Sequence, residues 1–161
     1  MTETGASGQL PDVRDLLERL AQRGLHLPSR PIKIGTFGDS PEMSRELLEL
    51  IRQGRKTATA SLVWEWEAEG QSLPMAGDLG IVLDGSGAPV LVLEYLEALV
   101  VPFSSVSEDF ARDEGEGDGS LEFWREVHLA FFTRACRPLE RVPSQDMPIV
   151  CARFRVLYDV G

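Results

Sequence analysis

The order in which two hydrophobic periodicities alternate along the chain restricts its fold more than any other feature. Apolar residues recur at helical spacing through Leu16, Leu17 and Leu20, and again through Met43, Leu47, Leu48 and Ile51. Two extended segments follow, Leu79–Leu83 and Val90–Val101, joined by Asp84-Gly85-Ser86-Gly87, which predicts a hairpin. Helical spacing returns over Leu121–Phe132, and the chain closes on Ile149–Tyr158, where Phe154, Val156 and Tyr158 share one strand face. Strands, then helices, then a last strand predict an α+β fold rather than alternating βαβ units.

Local signals set the boundaries. Ser40 can cap the second helix, Pro41 takes its first position and Gly54 ends it. Ser107 and Ser120 stand where N-caps belong. Residues 1–10 read as a flexible tail, and 11–36 as an N-terminal helix and connector whose helix stops before Gly24. That helix leaves a homodimer contact open.

A chain of 161 residues, 43% of them hydrophobic, fits one domain with one core. Its longest apolar runs are broken by Glu94, Glu97 and Pro102, far short of the ~20 residues that a membrane span needs. The N-terminus lacks a basic start followed by an apolar stretch, so a cytoplasmic protein is expected. Cys136 and Cys151 then read as reduced, buried thiols, and without CxxC spacing they point to no metal; no cofactor is expected either. The net charge of −10 opposes long nucleic acids over most of the surface, while a basic mouth could still hold a short strand or a nucleoside.

Two of the 16 basic side chains are lysines, and Lys56 lies in the densest basic cluster, Gly54-Arg55-Lys56-Thr57-Ala58-Thr59-Ala60-Ser61. A lysine amid arginines suggests a compact ammonium rather than a guanidinium fork. Lys56 and Thr59 would share a side in a turn and oppose each other in a strand, so their pairing requires a local turn or bulge. So paired, Lys56 could activate the Thr59 hydroxyl or hold a phosphate; the plainer reading is a solvated charge beside a helix C-terminus. The loop Asp113-Glu114-Gly115-Glu116-Gly117-Asp118-Gly119 crowds four carboxylates, which raises some of their pKa values. It is no EF-hand, because Arg125 stands where the twelfth-position Glu belongs. Trp64 and Trp66 share one face of a strand on this reading and could stack on a base, with Trp124 filling the core. His128 reads as a packed helix histidine with a satisfied ring.

The blocks GRKTATAS, GDLGIVL, DFARDEGEGDGSLEFWREVHLAFF and MPIVCARFRVLY, in this order, resemble an ASCH domain over residues 37–158. The resemblance implies a PUA-like fold, a small bent β-barrel with helices around a cleft that receives RNA or a nucleoside. It implies ribonuclease activity on single-stranded RNA, with deacetylation of 4-acetylcytidine or noncatalytic ligand binding as alternatives. Lys56 and Thr59 match the Lys and Thr of the small amidohydrolases, and Glu114 or Glu116 their Glu, with Glu114 preferred. Those members carry an Arg soon after the Thr, where this chain has Ser61. Arg55, Thr57, Ser61, Trp64 and Trp66 complete the expected substrate surface.

Overall fold

The computed structural model of the chain describes residues 11–161, so the reading of 1–10 as a tail lies outside the described residues. Helix α1 (Val13–Gln22) starts at Asp12, whose carboxylate accepts from Arg14 N, and buries Leu16 and Leu20. They pack on Ile34, Ile81, Leu83 and Val92, so the N-terminal helix shares a core with the sheet. The stretch expected as a plain connector contributes a strand, β1 (Ile32–Gly35).

Helix α2 (Pro41–Arg52) begins as the sequence predicts. Ser40 Oγ accepts from Met43 N and Pro41 occupies the first turn. Its stripe of Leu47, Leu48 and Ile51 meets Phe37, Leu93 and Phe154 in one apolar cluster. Strand β2 (Ala58–Leu62) runs directly into a short helix, α3 (Val63–Ala68). This corrects the expectation that Trp64 and Trp66 lie on one face of a strand. Trp66 turns back so that its indole Nε1 donates to Ser61 Oγ at 2.9 Å, a contact five residues apart that a strand cannot make.

Strands β3 (Leu79–Leu83) and β4 (Pro89–Pro102) form the expected antiparallel hairpin. Helices α4 (Glu108–Glu114) and α5 (Leu121–Cys136) start at Ser107 and Ser120, each hydroxyl accepting from the backbone N–H three residues on. Strand β5 (Pro148–Asp159) pairs with β4 along its length and with β2 on its other edge. The mixed sheet has the order β1-β3-β4-β5-β2, with β1 parallel to β3 and the remaining pairs antiparallel. Register shifts near Leu93 and Leu96 bend β4 and β5.

The architecture is therefore α+β. The order ends on β1 and β2, so the five-stranded sheet is open among the described residues, where the resemblance implied a small bent β-barrel. A third apolar cluster joins β2 and β5 to Phe110, Trp124 and Phe132 of the last two helices. Among the described residues no helix is long and apolar enough to cross a membrane. Cys136 and Cys151 are free and buried, and burial raises both thiol pKa values.

Candidate functional site

The segment that carries Lys56 is pinned from three sides by its own backbone. Arg55 N and Lys56 N both donate to Leu50 O at the end of α2, at 2.9 and 3.1 Å. Thr57 N and Oγ1 donate to Asp113 O at 2.8 and 3.2 Å, and Thr57 O accepts from Phe154 N of β5. These bonds turn Thr57 outward and Lys56 inward, leaving Lys56 3% exposed. A solvated charge at a helix end would not be buried, so the plainer reading of Lys56 fails.

Across from it, α4 ends at Gly115, whose φ of 67° belongs to the left-handed region. A Cβ on Gly115 would lie 2.0 Å from Arg55 O, so the acidic loop passes against the lysine segment only because this residue has no side chain. Glu114 and Glu116 emerge on either side of that glycine. Lys56 Nζ stands 3.8 Å from Glu114 Oε1 and 3.7 Å from Glu116 Oε2, and 5.8 Å from the centroid of the Phe37 ring.

Helix α5 closes the other wall with Val127, His128 and Phe131. His128 Nε2 lies 2.8 Å from Glu114 Oε2 and 3.7 Å from Glu116 Oε2. Trp124 Nε1 donates to Glu114 Oε2 at 2.6 Å. Burial alone would raise the Glu114 pKa, yet the charges of Lys56 and His128 and the hydrogen bond from His128 hold it well below the usual carboxylate range. Burial and the nearby Glu114 charge push Glu116 up, with Lys56 and His128 opposing. Burial disfavours the imidazolium of His128, but the Glu114 charge and hydrogen bond outweigh it and raise its pKa.

Together with Gly38, Leu47 and Ala60, these side chains and Thr59 line one cleft between α2 and α5. The partly open cleft has a volume of about 30 Å³ and admits one or two water-sized groups. Lys56 lies ahead of β2, outside the regular strand, so strand alternation does not set it opposite Thr59. Neither Lys56 Nζ nor Thr59 Oγ1 is hydrogen-bonded to another described residue. A buried ammonium and a hydroxyl with free hydrogen-bonding capacity in one cleft favour a ligand that offers oxygen atoms.

Glu114, Glu116 and His128 offer ligand atoms within 4.8 Å of one another, the one such group among the described residues. Lys56 already sets a positive charge within 4 Å of both carboxylates, and a dication there would meet it at close range. The residues therefore suit a polar organic group better than a resident metal.

Lys56, Thr59, Glu114 and Glu116 are thus brought together, whereas the remaining expected residues stay outside the lining. Arg55 is exposed, and Thr57 is exposed and bonded to Asp113. Ser61 and Trp66 are buried against each other, and Trp64 is half-buried under Arg141, whose guanidinium lies 4.9 Å from its ring. His128 is the residue that sequence reasoning assigned to packing and the structure adds to the site. Its spacing of four from Trp124 put both on the buried face of α5, but nothing local disclosed that Glu114 faces them.

The ASCH domain family model matches residues 33–158. An ASCH domain from Lactobacillus crispatus JV V101 is 30% identical, with a TM-score of 0.75, covering 90% of this chain and 93% of that one. A protein from Enterococcus faecalis V583 is 34% identical at a TM-score of 0.72, covering 87% and 83%. A third solved structure, a hypothetical protein 18% identical with a TM-score of 0.52, covers 79% of this chain and 99% of that one and shares the fold alone. No curated protein matches. With the family model spanning the sheet, the lysine segment and the acidic loop, the chain belongs to the ASCH domain family.

Proposed function

We propose that this chain is a hydrolase that admits a nucleoside, or the end of an RNA strand, to the Lys56 cleft and removes a small acyl group from a base amine, as in deacetylation of 4-acetylcytidine. One observation carries the reading: an unbonded ammonium, an unbonded threonine hydroxyl and two carboxylates line one cleft with room for little more than an acyl group. Phe37 and Phe131 offer apolar walls to a base held at its mouth. The bent sheet with helices around this cleft also fits a PUA-like arrangement, and ASCH domains are associated with RNA or nucleotide binding.

In this reaction the Thr59 oxygen attacks the acyl carbon and the Lys56 ammonium meets the charge that develops on the carbonyl oxygen. An ammonium donates and does not accept, so a carboxylate takes the Thr59 proton and returns it to the leaving amine. Ribonuclease cleavage, the first expectation from the sequence, gains less support. Arg55 faces solvent outside the lining, so no guanidinium fork waits for a phosphate.

The test incubates wild type, Lys56→Ala and Thr59→Val with 4-acetylcytidine and with a short single-stranded RNA, following products by chromatography. Cytidine from wild type alone supports the reading. Lys56-dependent RNA fragments without cytidine would replace it with the ribonuclease, and no product in either case with a noncatalytic reader. Thr59→Val keeps shape and removes the hydroxyl, so its loss of turnover cannot be put down to misfolding.

A further inference from the structure

The two glutamates of the cleft are held in different ways. The hydrogen bonds that Glu114 accepts from Trp124 and His128 end on the same oxygen, Oε2, at 2.6 and 2.8 Å, and its carboxyl also contacts that of Glu116 through a side-chain hydrogen bond. His128 Nδ1 faces the Trp124 main-chain oxygen at 2.9 Å. A carbonyl oxygen accepts only, so Nδ1 carries a hydrogen, and an ionised carboxylate requires one on Nε2 as well. The ring is then an imidazolium, stacked on the Trp124 indole with centroids 4.2 Å apart and planes 12° apart. With its other oxygen 3.8 Å from Lys56 and 1% of its surface exposed, Glu114 lines the cleft as a tightly held anion.

Glu116 lines the same cleft but is held less tightly. Its side chain is 19% exposed and lines the cleft, and its Oε2 lies 3.7 Å from both Lys56 Nζ and His128 Nε2, beyond hydrogen-bond distance. A carboxyl bonded to neither nearby cation, hydrogen-bonded to the ionised Glu114 and open to the cleft, is placed to hold a proton and give it back.

We infer that Glu116 is the proton acceptor and donor of this cleft, and that His128 and Trp124 are positioning residues that fix Glu114 as a permanent anion beside it. The chemical step rests on the hydrolase reading; the protonation states do not. The Thr59 proton passes to Glu116 as Oγ1 bonds to the acyl carbon and the carbonyl electron pair moves onto oxygen. The pair returns, the C–N bond breaks, and the leaving nitrogen takes the proton from Glu116. Water then attacks the threonine ester by the same route, releasing the acid and restoring the hydroxyl.

The charged groups around Glu116 are Lys56 ahead of β2, Glu114 at the end of α4 and His128 on α5. Strand β5 brings Cys151 near Glu114, and burial with the Glu114 charge pushes that thiol up to about 12, so it stays neutral. Burial first, and then the fixed anion at Glu114, strengthen Glu116 as a base against the opposing charges of Lys56 and His128.

Magnetic resonance of protein carrying isotope-labelled glutamate carboxyls and histidine rings tests this directly. The carboxyl signal missing from Glu116→Gln should titrate above the ordinary glutamate range, while the one missing from Glu114→Gln stays ionised until the protein unfolds in acid. In a His26→Gln background the remaining ring, that of His128, should keep both N–H protons to higher pH than a free imidazole. A His128 that loses a ring proton below the free-imidazole value, or Glu114 titrating above Glu116, would overturn the assignment.

With 4-acetylcytidine as the probe, Glu116→Gln should lower kcat by about 100-fold or more, change KM little and abolish the acid limb of the pH profile. Glu116→Asp should restore part of the rate with that limb displaced. An unchanged pH profile in Glu116→Gln would remove the catalytic role. If wild type leaves 4-acetylcytidine intact, the hydrolase reading fails by itself and the spectra still decide which glutamate holds the proton.

Discussion

A methyl group at position 115 would collide with the carbonyl of Arg55, because that is where the acidic loop crosses the lysine segment. Gly115→Ala also places a Cβ in the left-handed region at φ 67°, which costs about 1–2 kcal/mol before any clash is relieved. We expect a loss of at least about 2 kcal/mol once the overlap is added, read from urea midpoints. A variant as stable as wild type would show that the loop does not need this close approach. The charge inside the cleft gives a second prediction of opposite pH sign to ordinary acid denaturation. In Lys56→Met the carboxylates lose one of their two cations, so their folded pKa values rise relative to wild type and the folded variant binds more protons. The stability gap to wild type should therefore be small in mild acid, widen as pH rises through the raised carboxyl values, and reach about 3 kcal/mol once both are ionised. A gap that is constant or widest in acid would contradict the ion cluster.

Helix α1 shows how elements outside the cleft support it. Leu16 and Leu20 are fully buried against β1 and β3, so Leu20→Ala should destabilise the whole molecule by about 2–4 kcal/mol in one cooperative transition. An early separate transition would mean that α1 folds apart from the sheet. This helix, α2, the hairpin and the caps at Ser107 and Ser120 were legible in the sequence because each obeys a rule confined to a few neighbouring residues. Strand β1 was not. It has four residues, its partner β3 lies more than 40 positions away in the register Ile32 to Leu79, and Lys33 interrupts its apolar run. The Lys33 ammonium is buried because it donates to Ser72 O and Oγ, both at 2.8 Å, contacts that no local pattern announces. Trp64-Glu65-Trp66 alternates like a strand, yet the Ser61 hydroxyl draws the second indole back into a helix. In the site the same limit applies. Lys56, Thr59 and the glutamates stood out by residue type and motif, whereas His128 acquires its charge from Glu114, 14 positions earlier, after the loop folds back.

For the molecule as a whole, a net charge of −10 surrounds a cleft whose cations, Lys56 and His128, are already engaged with two carboxylates. A neutral nucleoside approaches this body without electrostatic penalty, whereas each added phosphate of an oligonucleotide must enter a field of its own sign. Repulsion between exposed charges is screened beyond about 8–10 Å near physiological salt and much more strongly at about 1 M. We therefore expect kcat/KM to fall as the substrate lengthens from 4-acetylcytidine to acetylated oligomers, and added salt to narrow that gap while leaving the nucleoside rate nearly unchanged. The comparison is made in one buffer series at constant pH, so that Glu116 and His128 keep the same protonation throughout. The opposite pattern, with the oligomer preferred at low salt and losing its advantage as salt rises, is the signature of counterion release from bound phosphates. It would mean that exposed arginines such as Arg55 gather a strand at the cleft mouth despite the acidic total, and RNA would take the place of the nucleoside as the substrate.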